Sequence, residues 1–380
     1  MLDVIVIGVG SMGSSACYCL AKRGYDVLGI EQFEIPHELG SHTGQSRIIR
    51  KAYFEHPDYV PLLESAYKNW MEFESETGTK IYYETGLSYF GDPQSDMMKG
   101  IQRSASLYHV PIEKIDSSST AKRFAQFTIP NGFETLFEPT AGLITPEKAI
   151  RLYAEQAKKN GASVHTKEKV IEWKKDGKDI EVITDKNAYR CRKLVITAGA
   201  WSGKMISLLA DKIKVTRQVV AWLNPKEENQ FTLNNFSCWM IADDKKPGCY
   251  YGFPMLPVSE FGEPQGLKMA YHYPGSVTDP DNVNRQTLTA DIKNLEYFLY
   301  KYMPEVADSM LSVKTCLYGN SPDENFIIDK LPGQDNVVVA CGFSGHGFKF
   351  VSVVGEILAD LAMDGATKHP IGFLNAKRFT

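Results

Sequence analysis

The earliest residues in the chain with a chemistry of their own are glycines. Gly8-Val9-Gly10-Ser11-Met12-Gly13 fits G-x-G-x-x-G. That spacing lets a chain turn tightly, bring its backbone against a pyrophosphate and pack the following helix close. Glu31 follows about twenty residues on, where an acid can accept hydrogen bonds from ribose hydroxyls. A second group is cationic. Arg47-Ile48-Ile49-Arg50 sets two guanidiniums around an apolar pair, and Lys349 stands between Phe348 and Phe350. A planar fork and a point charge together suit a carboxylate, although a single Arg or Lys is more often a solvated surface charge. Thiols and imidazoles are scattered. The 7 cysteines make no CxxC pair and the 8 histidines no H-x-x-x-H pair, so reduced thiols are expected, with no disulfide framework and no metal site. Taken alone, Cys316 reads as a core thiol.

These groups need elements to hold them. Residues 2–31 read as one βαβ unit: an apolar, β-branched run, the glycine turn, a helix stopped at Gly24, and a second buried strand closed by Glu31. Residues 32–60 are loop-like and rich in special residues, and a helix is expected from Pro61 to about Glu76. Short strands and helices alternate over 80–140, with a strand at 86–91. Thr145, Pro146 and Gly161 bracket a helix, strands surround a turn over 164–185, and 193–201 is another buried strand. Aromatic and turn residues over 216–275 suggest antiparallel β-structure. Residues 291–303 are helical, 336–350 are a strand entering a glycine-rich loop, and 351–365 are the helix after it.

The chain has 380 residues, enough for one large domain or two medium ones, and no repeat or linker separates them. Hydrophobic residues at 43% exclude a disordered chain, and a net charge of −4 offers no basic surface for nucleic acid. No apolar run approaches the ~18 residues of a membrane helix, and Val4–Ile7 is too short for a signal peptide, so a cytoplasmic protein is expected. The glycine motif does not separate NAD from FAD. An NAD dehydrogenase of this length usually completes its nucleotide domain in one N-terminal block. Here strand-plus-glycine segments return at 194–201 and 340–350, which suits the longer FAD.

Four segments carry a resemblance to a known family: GVGSMG at 8–13, GSHTGQSRIIR at 40–50, KTCLYGNSPDENFIIDKLPG at 314–333 and GFSGHGFKF at 342–350. GAW at 199–201, YYGFP at 250–254 and GLKMAYH at 266–272 agree in order and spacing. The chain resembles the flavin-dependent amine oxidases of the monomeric sarcosine oxidase and N-methyltryptophan oxidase group, with NSPDE pointing to the second branch. The resemblance implies FAD held by a thioether to Cys316, and oxidation of secondary amino acids with O2 reduced to H2O2. It implies that Arg47 contacts the flavin region, that Arg50 and Lys349 grip the substrate carboxylate, and that Lys268 stands where oxygen is activated. Tyr251 and His272 become pocket residues. Gly8, Gly10, Ser11, Met12, Gly13, Glu31, Ser41, His42, Thr43, Val170, Gly345, His346 and Gly347, with Lys349, become cofactor contacts. The family usually has two successive histidines where His42-Thr43 stand, and an Asp where Gln45 stands. Thr43 is expected to keep a hydrogen bond without the charge, and Lys314 or Arg47 to help the Cys316 thiolate form.

The expected fold is α/β. A Rossmann-like FAD-binding domain of the glutathione-reductase type is drawn from 1–80, 141–215 and 310–380. A β-rich, mixed α+β substrate domain comes from 81–140 and 216–309. The expected activity is oxidative demethylation of a small-molecule amino acid such as sarcosine or N-methyl-L-tryptophan, in a monomer with no membrane or nucleic-acid partner. Two alternatives stay within the enzyme class: an oxidase of fructosyl amino acids, L-proline or pipecolate, and an FAD-linked dehydrogenase that passes electrons to a carrier. A nucleotide-binding protein without catalysis is a third reading.

Overall fold

The first strand sets the architecture. Strand β1 (Leu2–Ile7) is an apolar, β-branched run whose last four residues are buried, as a strand covered on both faces must be. In this computed structural model, which describes residues 1–273, 275–304 and 306–379 and the backbone alone at 307 and 308, β1 is central to an eight-stranded sheet. It runs parallel to β2 (Val27–Ile30) on one side and to Ala188–Ile196 on the other. Ser163–His165 extends the parallel set beyond β2, and Gln334–Cys341 extends it beyond 188–196. The ribbon Val170–Asp176/Asp179–Thr184 and the strand Ile327–Leu331 add antiparallel pairs. Helix α1 (Ser11–Lys22) leaves the glycine turn and packs against the helices Pro146–Lys159 and Val351–Met363.

A second, nine-stranded sheet is largely antiparallel. Its long member Lys214–Pro225 pairs with Ala307–Asn320 on one side and Leu267–His272 on the other. Cys249–Gly252, Cys238–Ala242, Leu87–Gly91 and Glu134–Glu138 follow in turn. Side chains alternate between faces, so the register decides which residues meet. Gln218 opposes Cys316, Trp222 opposes Lys268, Cys249 opposes His272, and Tyr251 opposes both Ala270 and Met240. Cys316, Tyr318, Lys268, His272, Tyr251 and Met240 therefore share one face. The other face carries Trp239, Ile241, Tyr250, Leu267 and Met269, a core closed by the helix Thr289–Tyr302 through the stacked pair Trp239–Phe298 at 5.0 Å. A small three-stranded sheet joins Arg47–Ile49, Gly142–Ile144 and Tyr82–Glu84.

The helices and strands expected from sequence fall where the periodicity puts them, within a residue or two: Val60–Thr77, Leu87–Gly91, Pro146–Lys159 and Thr289–Tyr302. Two segments differ. The strand expected over 193–201 is Ala188–Ile196, and Gly199–Trp201 forms a 3-10 helix instead. Residues 310–320, assigned on sequence to the nucleotide domain, run in the second sheet, because their partner strand lies a hundred residues upstream and no local pattern names it. Pro274, Glu305 and Thr380, inside the expected domains, lie outside the described residues.

Candidate active site

One cavity runs from the glycine turn to the inner face of the second sheet. Its lining includes Gly8, Gly10, Ser11, Met12, Glu31 and Val170 in one part, Ser41, His42, Arg47 and Cys316 in another, and Arg50, Tyr251, His272, Gly345, His346, Gly347 and Lys349 in a third. Gly13, Thr43 and Lys268 do not line it.

In the glycine turn, Gly8 holds a left-handed φ of +85°. A Cβ on Gly13 would lie 1.8 Å from the Gly8 carbonyl oxygen, so Gly13 serves the close packing of turn and helix from behind. A Cβ on Gly10 would meet only His42 Nδ1, at 3.9 Å, and α1 has no side-chain cap. Its orphan first-turn N–H groups are therefore left for an anion. The Glu31 carboxylate, almost fully buried, accepts Val9 N–H at 2.9 Å and Phe33 N–H at 3.0 Å. Burial raises its pKa while those bonds oppose the rise. Fixed in this way, its remaining lone pairs suit ribose hydroxyls.

Arg47 ties the next loop together by donating to Ser46 O at 2.8 Å, Ser41 O at 2.8 Å and Thr43 O at 2.7 Å. His42 is buried, and burial with the Arg47 charge brings its pKa down to about 4. Thr43 departs from expectation: its Oγ1 is buried without a hydrogen-bond partner, and the residue does not line the cavity. Burial raises the Cys316 thiol, while Arg47 and then Lys268, Arg285 and Arg217 lower it. Lys314 is not among those cations, because its ammonium reaches outward to Glu38 at 2.5 Å. Lys268 is 2% exposed and lies behind the loop, donating to Gly44 O and to Ser46 O at 2.7 Å. Burial, then Arg47, lowers its pKa strongly.

The third part of the lining holds a residue that sequence reasoning missed. Arg50 is 2% exposed and donates from Nη2 to both oxygens of Glu55 at 2.7 Å and from Nη1 to Ala52 O at 2.8 Å. Burial would raise the Glu55 carboxyl, but Arg50, with His346 and Lys349, holds it at about 2. Lys349 donates to His346 O at 2.7 Å, and burial together with Arg50 lowers its pKa to about 7. His346 Nε2 sits 3.0 Å from Glu324 O and so carries the proton, leaving Nδ1 to accept from Tyr53 OH at 2.6 Å. Burial holds His346 near 3 and His272 near 4, so both rings are neutral at pH 7. Tyr251, pushed up to about 12 by burial, stays protonated. The arrangement can hold an anion on a buried cation pair, beside uncharged polar groups, in a cavity continuous with a dinucleotide turn.

These features define a flavin-dependent oxidoreductase: the chain belongs to the FAD dependent oxidoreductase family, whose pattern matches residues 3–361. It is 38% identical over 378 residues to monomeric sarcosine oxidase of Streptomyces avermitilis, covering 99% of this chain and 97% of that one. Identity to N-methyl-L-tryptophan oxidase of Yersinia pestis is 31% over 379 residues, with 99% of each covered. NSPDE points to that second branch, yet over the whole chain identity to the sarcosine oxidase is higher. In fold, the chain matches the open form of NikD, described as an unusual amino acid oxidase, with a TM-score of 0.85 at 23% identity, covering 98% of this chain and 97% of that one. The cofactor is FAD, and the open cradle at Gly10, the uncapped helix and the anchored Glu31 fit it.

Proposed function

We propose that this chain oxidises a secondary, N-methyl amino acid, of which sarcosine and N-methyl-L-tryptophan are the leading substrates. The products are the primary amino acid, formaldehyde and H2O2. The observation that carries the reading is a single cavity lined both by the dinucleotide turn and by the buried cations Arg50 and Lys349. The 38% and 31% identities to enzymes named for those two substrates support it.

FAD, when bound, accepts two electrons from the amine carbon and passes them to O2. The chain's own residues bind and orient. Gly8, Gly10, Ser11, Met12, Glu31 and Val170 would hold the nucleotide, with Ser41, His42, Arg47 and the loop 345–347 further along it. Cys316 is proposed as the covalent attachment point, its thiolate favoured by Arg47 and Arg285 and opposed by burial. Arg50 and Lys349 would take the substrate carboxylate. Glu55 already occupies Arg50 Nη2, so the substrate competes there with a resident carboxylate. Tyr251 and neutral His272 would bound the pocket, and Lys268 would supply positive charge for oxygen reduction from behind the 44–46 loop. The nearby cations disfavour a bound ammonium and so favour the neutral amine that oxidation requires.

We further propose two interleaved units. One is FAD-binding, from 1–80, 141–215 and the C-terminal reach after Asn320. The other, from 81–140 and 216–320, is the substrate unit. The protein is proposed to act as a cytoplasmic monomer, and seven free cysteines fit a reducing compartment. No helix among the described residues is long and apolar enough to cross a membrane. A panel of N-methyl amino acids, proline, pipecolate and fructosyl amino acids, read by peroxide release, tests the substrate class. Release with sarcosine or N-methyl-L-tryptophan supports the reading, and release only with a cyclic or glycated amine overturns it.

A further inference from the structure

Lys268 is held by a loop that has an unusual shape. Gly44 sits at φ +107° and Gln45 at φ +65°, a left-handed value that a side chain disfavours. Something must over-determine that conformation. Gln45 is anchored at both ends of its amide, accepting from Trp222 Nε1 at 2.9 Å and donating to Gly262 O at 2.8 Å. The backbone N–H groups of Gly44 and Gln45 point the other way, onto one side chain. Glu147, in the first turn of the helix Pro146–Lys159, accepts Gly44 N–H at 2.6 Å and Gln45 N–H at 3.1 and 3.2 Å. The same short loop presents its carbonyls to Lys268, so an anion on one side and a cation on the other share the Gly44–Gln45 peptide unit.

We infer that Glu147 is the positioning residue for Lys268. Through the 44–46 loop it fixes where the ammonium sits and keeps it charged. This rests on the proposed role of Lys268 in the oxidase reaction. The groups facing Lys268 are few: Arg47, which opposes its charge; Glu147, Cys316 and Cys238, which favour it; and the rings of Phe253 at 4.5 Å and Trp222 at 5.8 Å. Burial and Arg47 press toward the neutral amine. Both cysteines are thiols at neutral pH, since burial raises them. Glu147 is then the only carboxylate among these groups. Removing its charge should let Lys268 lose its proton at a lower pH, and should free the loop from its strained turn.

The test uses the FAD-loaded enzyme labelled with 13C-lysine, with Lys268 assigned by the signal missing from Lys268→Met. The inference expects the Lys268 titration midpoint to fall by about one pH unit in Glu147→Gln. The pH profile for reoxidation of reduced flavin by O2 should shift in the same direction, and anaerobic reduction by substrate should keep its own profile. Glu147→Asp, which retains the charge, should recover most of the shift. An unchanged Lys268 midpoint in Glu147→Gln overturns the inference. If Glu147→Gln does not fold, Glu147→Ala carries the same test: a fall in the Lys268 midpoint supports the inference and no fall overturns it. The titration needs no substrate, so failure of the amine-oxidase reading would show in the substrate panel and leave this result intact.

Discussion

Replacing Glu55 by Gln tests how the anion site works. Arg50 spends Nη2 on both Glu55 oxygens and Nη1 on Ala52 O, so an incoming carboxylate gains Nη2 only by displacing one already there. That exchange is close to neutral, and the net gain comes from Lys349. Gln keeps the size and removes the competing charge. A hydrogen bond to a charged group contributes ~1.5–3 kcal/mol. Freeing one such bond's worth should tighten acetate, a carboxylate with no oxidisable amine, roughly tenfold to a hundredfold. Acetate binding can be read from perturbation of the flavin absorbance and from competitive inhibition. The same change leaves Arg50 buried with its strongest partner gone, which costs about 3–5 kcal/mol. Tm should therefore fall in the variant and recover in part when acetate is added. Acetate binding that is unchanged or weaker in Glu55→Gln would refute the competition.

Three further outcomes follow from named residues. Acetate affinity should decline as pH rises through about 7, because Lys349 loses its proton there, whereas Glu55 near 2, His346 near 3 and His272 near 4 do not titrate in that range. The decline should vanish in Lys349→Met, and the sign carries to stability. The folded pKa of Lys349 lies below its unfolded value, so the unfolded chain binds more protons between about 7 and 10.5, and this group's contribution to stability rises with pH across that window. Cys316→Ala should release flavin into the supernatant on acid precipitation while wild type keeps it in the precipitate, and a white wild-type precipitate would remove Cys316 as the attachment site. Lys268→Met should slow reoxidation by O2 by roughly a hundred- to a thousandfold while reduction by substrate slows far less, and equal slowing of both would make Lys268 structural.

The nucleotide turn was legible because its chemistry is local: three glycines, a strand before and a helix after. Cys316, Lys268, Tyr251 and His272 became candidates only through the family resemblance. Alternation along each strand could be read, but which strands pair, and in what register, depends on partners a hundred residues apart, as for 214–225 with 307–320. The misassignment of 310–320 came from the same gap. Lys314 illustrates a related limit, since two residues from Cys316 in sequence it still directs its charge to Glu38. Arg285, a cation that does favour the thiolate, arrives from a distant loop, bonding Thr315 O at 3.4 Å and Leu39 O at 2.7 Å. Glu55 lies five residues after Arg50, in a loop-like stretch rich in special residues. Acids at that distance are common, and only the folded loop shows its carboxylate turned back onto the guanidinium. Glu147 was visible only as an acid near the start of a helix, and its partners are backbone groups with no sequence signature at all.

The central claim, that this chain demethylates an N-methyl amino acid at its flavin, is tested most directly by stoichiometry. Purified enzyme would be mixed anaerobically with sarcosine and, separately, with N-methyl-L-tryptophan, then exposed to O2, with flavin absorbance, formaldehyde and H2O2 measured on the same sample. The flavin should bleach before oxygen is admitted and recover after it, with formaldehyde and peroxide in equal amounts, for at least one of the two substrates. A flavin that neither substrate bleaches would contradict it, as would one that is bleached and recovers only when an electron carrier replaces O2.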